Sequence, residues 1–88
     1  MLIKVEHGKY DYYAENEYEM VTDFEVIETY YFDNIDRAKA YVENKLSGKD
    51  WSANHPGMVF DTYVYDKSYV YGVSGKLRSF KYYKVEML

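Results

Sequence analysis

Along residues 2–7 apolar and polar positions alternate, with Ile3 and Val5 set against Lys4 and Glu6, before Gly8. A period of two predicts a strand with one buried face, and the glycine predicts its end. Residues 9–23 are polar and studded with tyrosine. They fit either a second strand turning at Glu15 and Asn16 or a long irregular loop. In residues 23–32, Phe24, Val26, Tyr30 and Phe32 alternate with Ile27, Thr29 and Tyr31. This density of aromatic and β-branched residues predicts a strand buried on at least one side, placed centrally in a sheet.

The period then changes. Ile35, Ala38, Val42 and Leu46 are spaced three, four and four apart, which aligns them on one stripe of a helix over about residues 34–47. Asp33 is the expected N-cap, Asp36 adds negative charge to the first turn, Lys45 lies near the other end, and Gly48 supplies a left-handed stop. KDWSANHPG, residues 49–57, reads as a loop from its Ser, Asn, Pro and Gly content. Strands follow at residues 58–66, 68–73 and 76–87, with Ser74 and Gly75 as a two-residue turn. The expected architecture is α+β: an antiparallel sheet of about five to six strands, one helix packed on one face, order β(β)βαβββ. Ile35, Ala38, Val42 and Leu46 should face Val5, Val26, Phe32, Val64 and Val70.

The stretch YVYDKSYVYGVSG, residues 63–75, is nearly symmetric about Lys67. A bend at Asp66, Lys67 and Ser68 would set Tyr65 opposite Tyr69 and Tyr63 opposite Tyr71, with Val64 facing Val70 on the other side. Such cross-strand pairs stabilise a meander by about 0.2 to 1 kcal/mol each. Tyrosine also joins an apolar ring to a polar tip, so the same face suits contact with a partner. Thirteen tyrosines are more than so small a domain readily buries with every hydroxyl satisfied.

Composition narrows the class. Eighty-eight residues allow one domain, 1–88, with one core. A hydrophobic share of 48% with a single proline excludes a disordered chain. With no cysteine there are no disulfides and no thiolate metal sites. The first residues lack the apolar stretch of a signal peptide, and no segment reaches the roughly 20 apolar residues of a membrane span. The cytoplasm is therefore the expected location, with no membrane association.

The formal charge of -4 hides two poles. Between residues 10 and 36 stand nine acids, Asp11, Glu15, Glu17, Glu19, Asp23, Glu25, Glu28, Asp33 and Asp36, without a lysine or arginine. If acidic and basic strands lie side by side, cross-strand pairing offsets both, usually for little energy. If not, Glu15, Glu17, Glu19 and Asp23, with Tyr12, Tyr13 and Tyr18, form an anionic contact surface. That surface would attract a protein with a cationic groove and imitate a row of nucleic-acid phosphates.

Residues 67–84 carry Lys67, Lys76, Arg78, Lys81 and Lys84 and no acid. Lys76, Arg78, Lys81 and Lys84 beside Tyr82 are the components of a single-stranded nucleic-acid site, cations for phosphates and rings for bases. Homodimerisation through a tyrosine-bearing edge strand is the third option. Catalysis has little foothold. His7 and His55 lack metal-ligand spacing, no serine sits in a nucleophile elbow, and residues 72–75 make a turn rather than a phosphate cradle. No catalytic residue, metal or cofactor is expected.

FDNIDRAKAYVENKL, residues 32–46, entered from an aromatic strand and followed by VYD at residues 64–66, resembles the strand-helix-hairpin layout of small accessory proteins of bacteriophages and mobile elements. The resemblance implies a small intracellular viral-type inhibitor or modulator of a host or defence protein, such as an anti-restriction or anti-CRISPR protein. Several proteins of that functional group are acidic DNA mimics, which accords with the acidic run. The basic C-terminal strand departs from a uniformly acidic mimic.

Overall fold

The computed structural model describes residues 2–15, 18–54, 60–71 and 76–88. In chain order the elements are β1 (Ile3–Glu15), β2 (Tyr18–Phe32), α1 (Ile35–Leu46), β3 (Trp51–Asn54), β4 (Phe60–Tyr71) and β5 (Lys76–Met87). The fold is α+β, a five-stranded antiparallel sheet in the order β2-β1-β5-β4-β3 with one helix.

Topology explains where the helix lies. β2 and β3 are opposite edges of the sheet, so the chain between them must cross all five strands. Four inter-strand spacings of about 4.8 Å make about 19 Å, and a 12-residue helix is about 18 Å long. The crossing begins beyond Phe32, level with Ile3 and Met87, and ends at Trp51, level with Tyr65 and Lys81. It is a diagonal over one half of the sheet. The other half, from Asp11 and Ser79 onward, extends past the helix as a four-stranded blade of β2, β1, β5 and β4.

Ala38, Val42 and Leu46 are buried, and Ile35 packs at the margin. They meet Ile3, Val5, Tyr63, Tyr65, Tyr83 and Val85, with Phe32 and Tyr41 alongside. Val5 and Phe32 are where the sequence placed them. Val26 is 43% exposed, Val64 lies between the helix-facing Tyr63 and Tyr65 and so belongs to the opposite face, and the Val70 contact lies outside the described side chains. The N-cap is Asn34 rather than Asp33. Its Oδ1 accepts from the backbone N–H of Asp36 at 2.8 Å and of Arg37 at 3.2 Å. Asp33 instead meets Arg37 at 3.8 Å. Gly48 has a φ of 79°, the left-handed stop expected of it.

Four further expectations are corrected. Gly8 does not end β1, which continues to Glu15, so residues 9–15 and 18–25 pair as antiparallel arms of β1 and β2. β2 is an edge strand, not a central one. A bulge opposite the His7 and Gly8 step inserts Ile27 and reverses the alternation. Tyr30 and Phe32 pack on Tyr41 of the helix, while Phe24 stacks on Tyr82 on the other face.

The symmetric tyrosine stretch makes no hairpin at Asp66. β4 runs through it, and a bulge at Asp66 and Lys67, with Asp66 at a φ of 51°, absorbs the irregularity. Tyr63 therefore opposes Tyr83, and Tyr65 opposes Lys81. Finally, the expected loop at residues 49–57 contains β3, which pairs with residues 62–65. The Ser74 and Gly75 turn lies outside the described residues. Among the described residues no helix is long and apolar enough to cross a membrane.

Candidate functional site

The hairpin register gathers most of the predicted acidic surface at one end of the blade. Glu15 opposes Tyr18, Ala14 opposes Glu19, Tyr13 opposes Met20, Tyr12 opposes Val21, and Asp11 opposes Asp23. Tyr12, Tyr13, Glu15, Tyr18, Glu19 and Asp23 thus occupy one short ribbon, and Glu17 lies outside the described residues. Like charges placed opposite each other, as at Asp11 and Asp23, are unfavourable for the ribbon by itself.

The basic set is divided. Lys76 opposes Ala14 and Arg78 opposes Tyr12, beside the acidic ribbon on β5, whereas Lys81, Tyr82 and Lys84 stand further down, opposite Lys9, Gly8 and Glu6. Lys81 pairs with Asp66 at 3.3 Å and Lys84 with Glu86 at 3.3 Å. Neither acid belongs to the run in residues 11–36. β1 separates β2 from β5, so the acids of β2 are about 10 Å, two strand spacings, from the basic strand. Within the run, Glu25 meets Lys9 at 3.5 Å and Asp33 meets Arg37; both pairs are exposed.

Tyr82 is committed to the fold. Its hydroxyl donates to Glu6 Oε2 at 2.7 Å, and its ring lies over Gly8, where an added Cβ would come within 2.6 Å of the hydroxyl. It is 5% exposed, which removes it as a stacking platform for a base.

Sequence reasoning set His7 aside, and the structure makes it the centre of a polar cluster at the end of the core. Its ring stacks on Tyr83 with centroids 4.2 Å apart, and its Nε2 lies 2.5 Å from the Tyr65 hydroxyl. Tyr65 and Tyr83 are also hydrogen-bonded to each other. Burial pushes the Tyr83 phenol up to about 12, with the neighbouring Tyr65 adding to the shift. A phenol held so far from neutrality is no acid or base at pH 7. Burial also lowers the pKa of His7, helped by Lys81 and Lys45 and opposed by Glu28. The neutral imidazole and the Tyr65 hydroxyl share this hydrogen bond, and the tautomer of His7 sets which of them donates. The signal was available in the alternation, since His7 continues the buried face of Ile3 and Val5.

This predicts a pH effect. The unfolded chain protonates His7 near 6.5, and the folded chain only at lower pH. Stability from this site is complete above about 6.5 and falls as pH drops from there toward the depressed folded value. Replacing His7 by glutamine should flatten stability between pH 7.5 and 5, measured by urea midpoints at the two values.

Among the described residues no three His, Cys, Asp or Glu side chains gather to hold a metal ion. A cavity of about 400 Å³ beside the helix C-terminus is lined by Lys49, Trp51, Ser52, Asp66 and Lys67 among others. Lys67 Nζ donates to Ser52 Oγ at 3.1 Å, and Asp66 holds Lys81, so these groups are engaged with one another. Compared with known proteins, the chain matches no family model, no curated protein and no solved structure. What the geometry of the described residues defines is a class, a two-layer α+β domain whose sheet outruns its helix.

Proposed function

We propose that this chain is a non-enzymatic protein-binding module whose contact surface is the acidic, tyrosine-rich ribbon at the end of the β1 and β2 hairpin. The observation that carries this reading is the pairing of the basic strand: Lys81 and Lys84 are engaged by Asp66 and Glu86, outside the acidic run. β1 also keeps β5 from lying next to β2. Glu19 and Asp23 on β2 are therefore one strand removed from the basic strand, whereas Glu15, on β1, lies next to the Lys76 end of β5. Acidic residues at successive positions of a two-stranded ribbon suit a partner with a cationic groove, steering its approach and imitating nucleic-acid phosphates. An inhibitor or modulator of a nucleic-acid-handling protein, of the anti-restriction or anti-CRISPR kind, fits this chemistry. The acidic run and the layout of residues 32–46 support it, and a cytoplasmic setting accords with it.

The test is capture of partners from a host lysate on the immobilised chain, followed by kinetics with the purified partner. Reversing Glu15 and Glu19 together to lysine should slow association at least tenfold and flatten its dependence on salt. Association that keeps its rate and salt dependence would overturn the reading. The nucleic-acid reading loses Tyr82 to the fold and two of its cations to internal pairs. The unaltered chain should therefore leave single-stranded oligonucleotides unbound in the same experiment at low salt.

A further inference from the structure

β2 is an edge of the sheet, with β1 on one side and none of the described strands on the other. All side chains in residues 24–31 are exposed, among them Phe24 at 57% and Tyr31 at 58%, with Ile27 and Tyr30 between. A long edge that shows apolar side chains is a template for another strand.

Two bulges limit where that strand can lie. Register shifts opposite the His7 and Gly8 step and opposite the Asp11 and Tyr12 step insert Ile27 and Thr22. They divide β2 into straight stretches at residues 18–21, 23–26 and 28–32, of which the last is the longest. Antiparallel pairing with an identical strand is two-fold symmetric, so each register has one residue that meets its own copy. Centred on Phe24 the pairing would oppose Asp23 to Glu25, and centred on Glu25 it would oppose that acid to itself. Both are unfavourable. Centred on Tyr30, Glu28 opposes Phe32, Thr29 opposes Tyr31, and Tyr30 meets Tyr30. No acid faces an acid. The helix adds charge complementarity. Tyr41 packs on Tyr30 and Phe32, so the stripe of Arg37, Tyr41 and Lys45 flanks this edge. In the paired arrangement the Glu28 of one copy approaches the two cations on the stripe of the other.

We propose that β2 pairs antiparallel with β2 of a second copy of this chain, about a two-fold axis at Tyr30, to make one continuous ten-stranded sheet. The inference is independent of the acidic ribbon. The two blades point in opposite directions, so both ribbons stay free.

The chain has no cysteine, which makes a sharp test available. Directly opposed residues in an antiparallel pair have Cα atoms about 4.5 to 5.5 Å apart, inside the range a disulfide spans. Under mild oxidation Tyr30→Cys should form a covalent dimer at least tenfold faster than Glu25→Cys, which lies beyond the paired stretch. Sedimentation of the unaltered chain should move from 10.6 kDa toward twice that mass as concentration rises. Tyr30→Lys, which sets two ammonium groups against each other, should weaken the dimer at least tenfold while its circular dichroism stays that of the unaltered chain. A chain that remains monomeric at millimolar concentration would overturn the proposal. So would equal crosslinking rates for the two cysteine variants, or a dimer that Tyr30→Lys leaves intact. None of these outcomes bears on partner capture by the acidic ribbon.

Discussion

Gly8→Ala is expected to destabilise the chain by about 3 kcal/mol, a large share of the roughly 4 to 13 kcal/mol that 88 residues provide. A methyl group at this position would stand 2.6 Å from the Tyr82 hydroxyl, 2.7 Å from Cζ of the same ring and 2.7 Å from the backbone oxygen of Glu25. The ring could swing aside only by giving up its hydrogen bond to Glu6 and its stacking on Phe24. The carbonyl could retreat only by opening the ladder between β1 and β2 beside the bulge. Both routes cost more than a rotamer change, and the second disturbs the register on which the acidic ribbon depends. Urea denaturation should show a lowered midpoint. Tyr82→Phe, which keeps the ring and loses only the bond to Glu6, should cost about 1 kcal/mol. If Gly8→Ala were as mild as Tyr82→Phe, the close approach of ring and backbone would not be a feature of the folded chain.

Gly8 also shows why some of this fold was legible in the sequence and some was not. A strand glycine reads equally well as an end and as a place where another group comes close. Only the partner strand decides, and Tyr82 is 74 positions away. The same holds for β2. Its apolar density is real, but a strict period of two assumes an uninterrupted ladder, and Ile27 breaks it. Phe24 and Val26 consequently leave the face of Tyr30 and Phe32, and a strand that looked central is an exposed edge. The symmetry about Lys67 was legible as a pattern and misleading as a hairpin, because Asp66 can take a left-handed conformation within a continuing strand. β3 is four residues long, too short to stand out from the Ser and Asn around it. The helix was readable almost to the residue because its period depends only on itself. Asp33 and Asn34 are both able caps, and one register step decided between them. The composition of the acidic ribbon was likewise legible, whereas its separation from β5 by β1 is a property of strand order, which no local pattern carries. His7 was passed over because a single imidazole without metal spacing says nothing until its stacking partner Tyr83 and hydrogen-bonding partner Tyr65 are known.

Leu46→Ala is expected to cost about 3 to 4 kcal/mol. Leu46 is completely buried, on the last turn of α1. It sits where the helix ends and the chain turns through Gly48 toward β3. The Leu46 carbonyl accepts the Lys49 N–H at 2.9 Å, so the side chain and the backbone of this residue together fix the end of the diagonal crossing. Removing Cγ and its two methyl groups leaves a cavity under the helix that Ala38 and Val42, small and already packed, cannot fill. The loss should appear as a lower urea midpoint with an unchanged denaturant slope, since the surface exposed on unfolding stays nearly the same. Val26→Ala supplies the contrast. The alternating pattern assigned Val26 to the helix-facing core, whereas it is 43% exposed on the edge strand, and its truncation should change stability by no more than about 0.5 kcal/mol. Equal losses for the two variants would mean that a second layer covers the outer face of the sheet, and the exposed edge from which dimerisation is inferred would then be occupied in the folded chain itself.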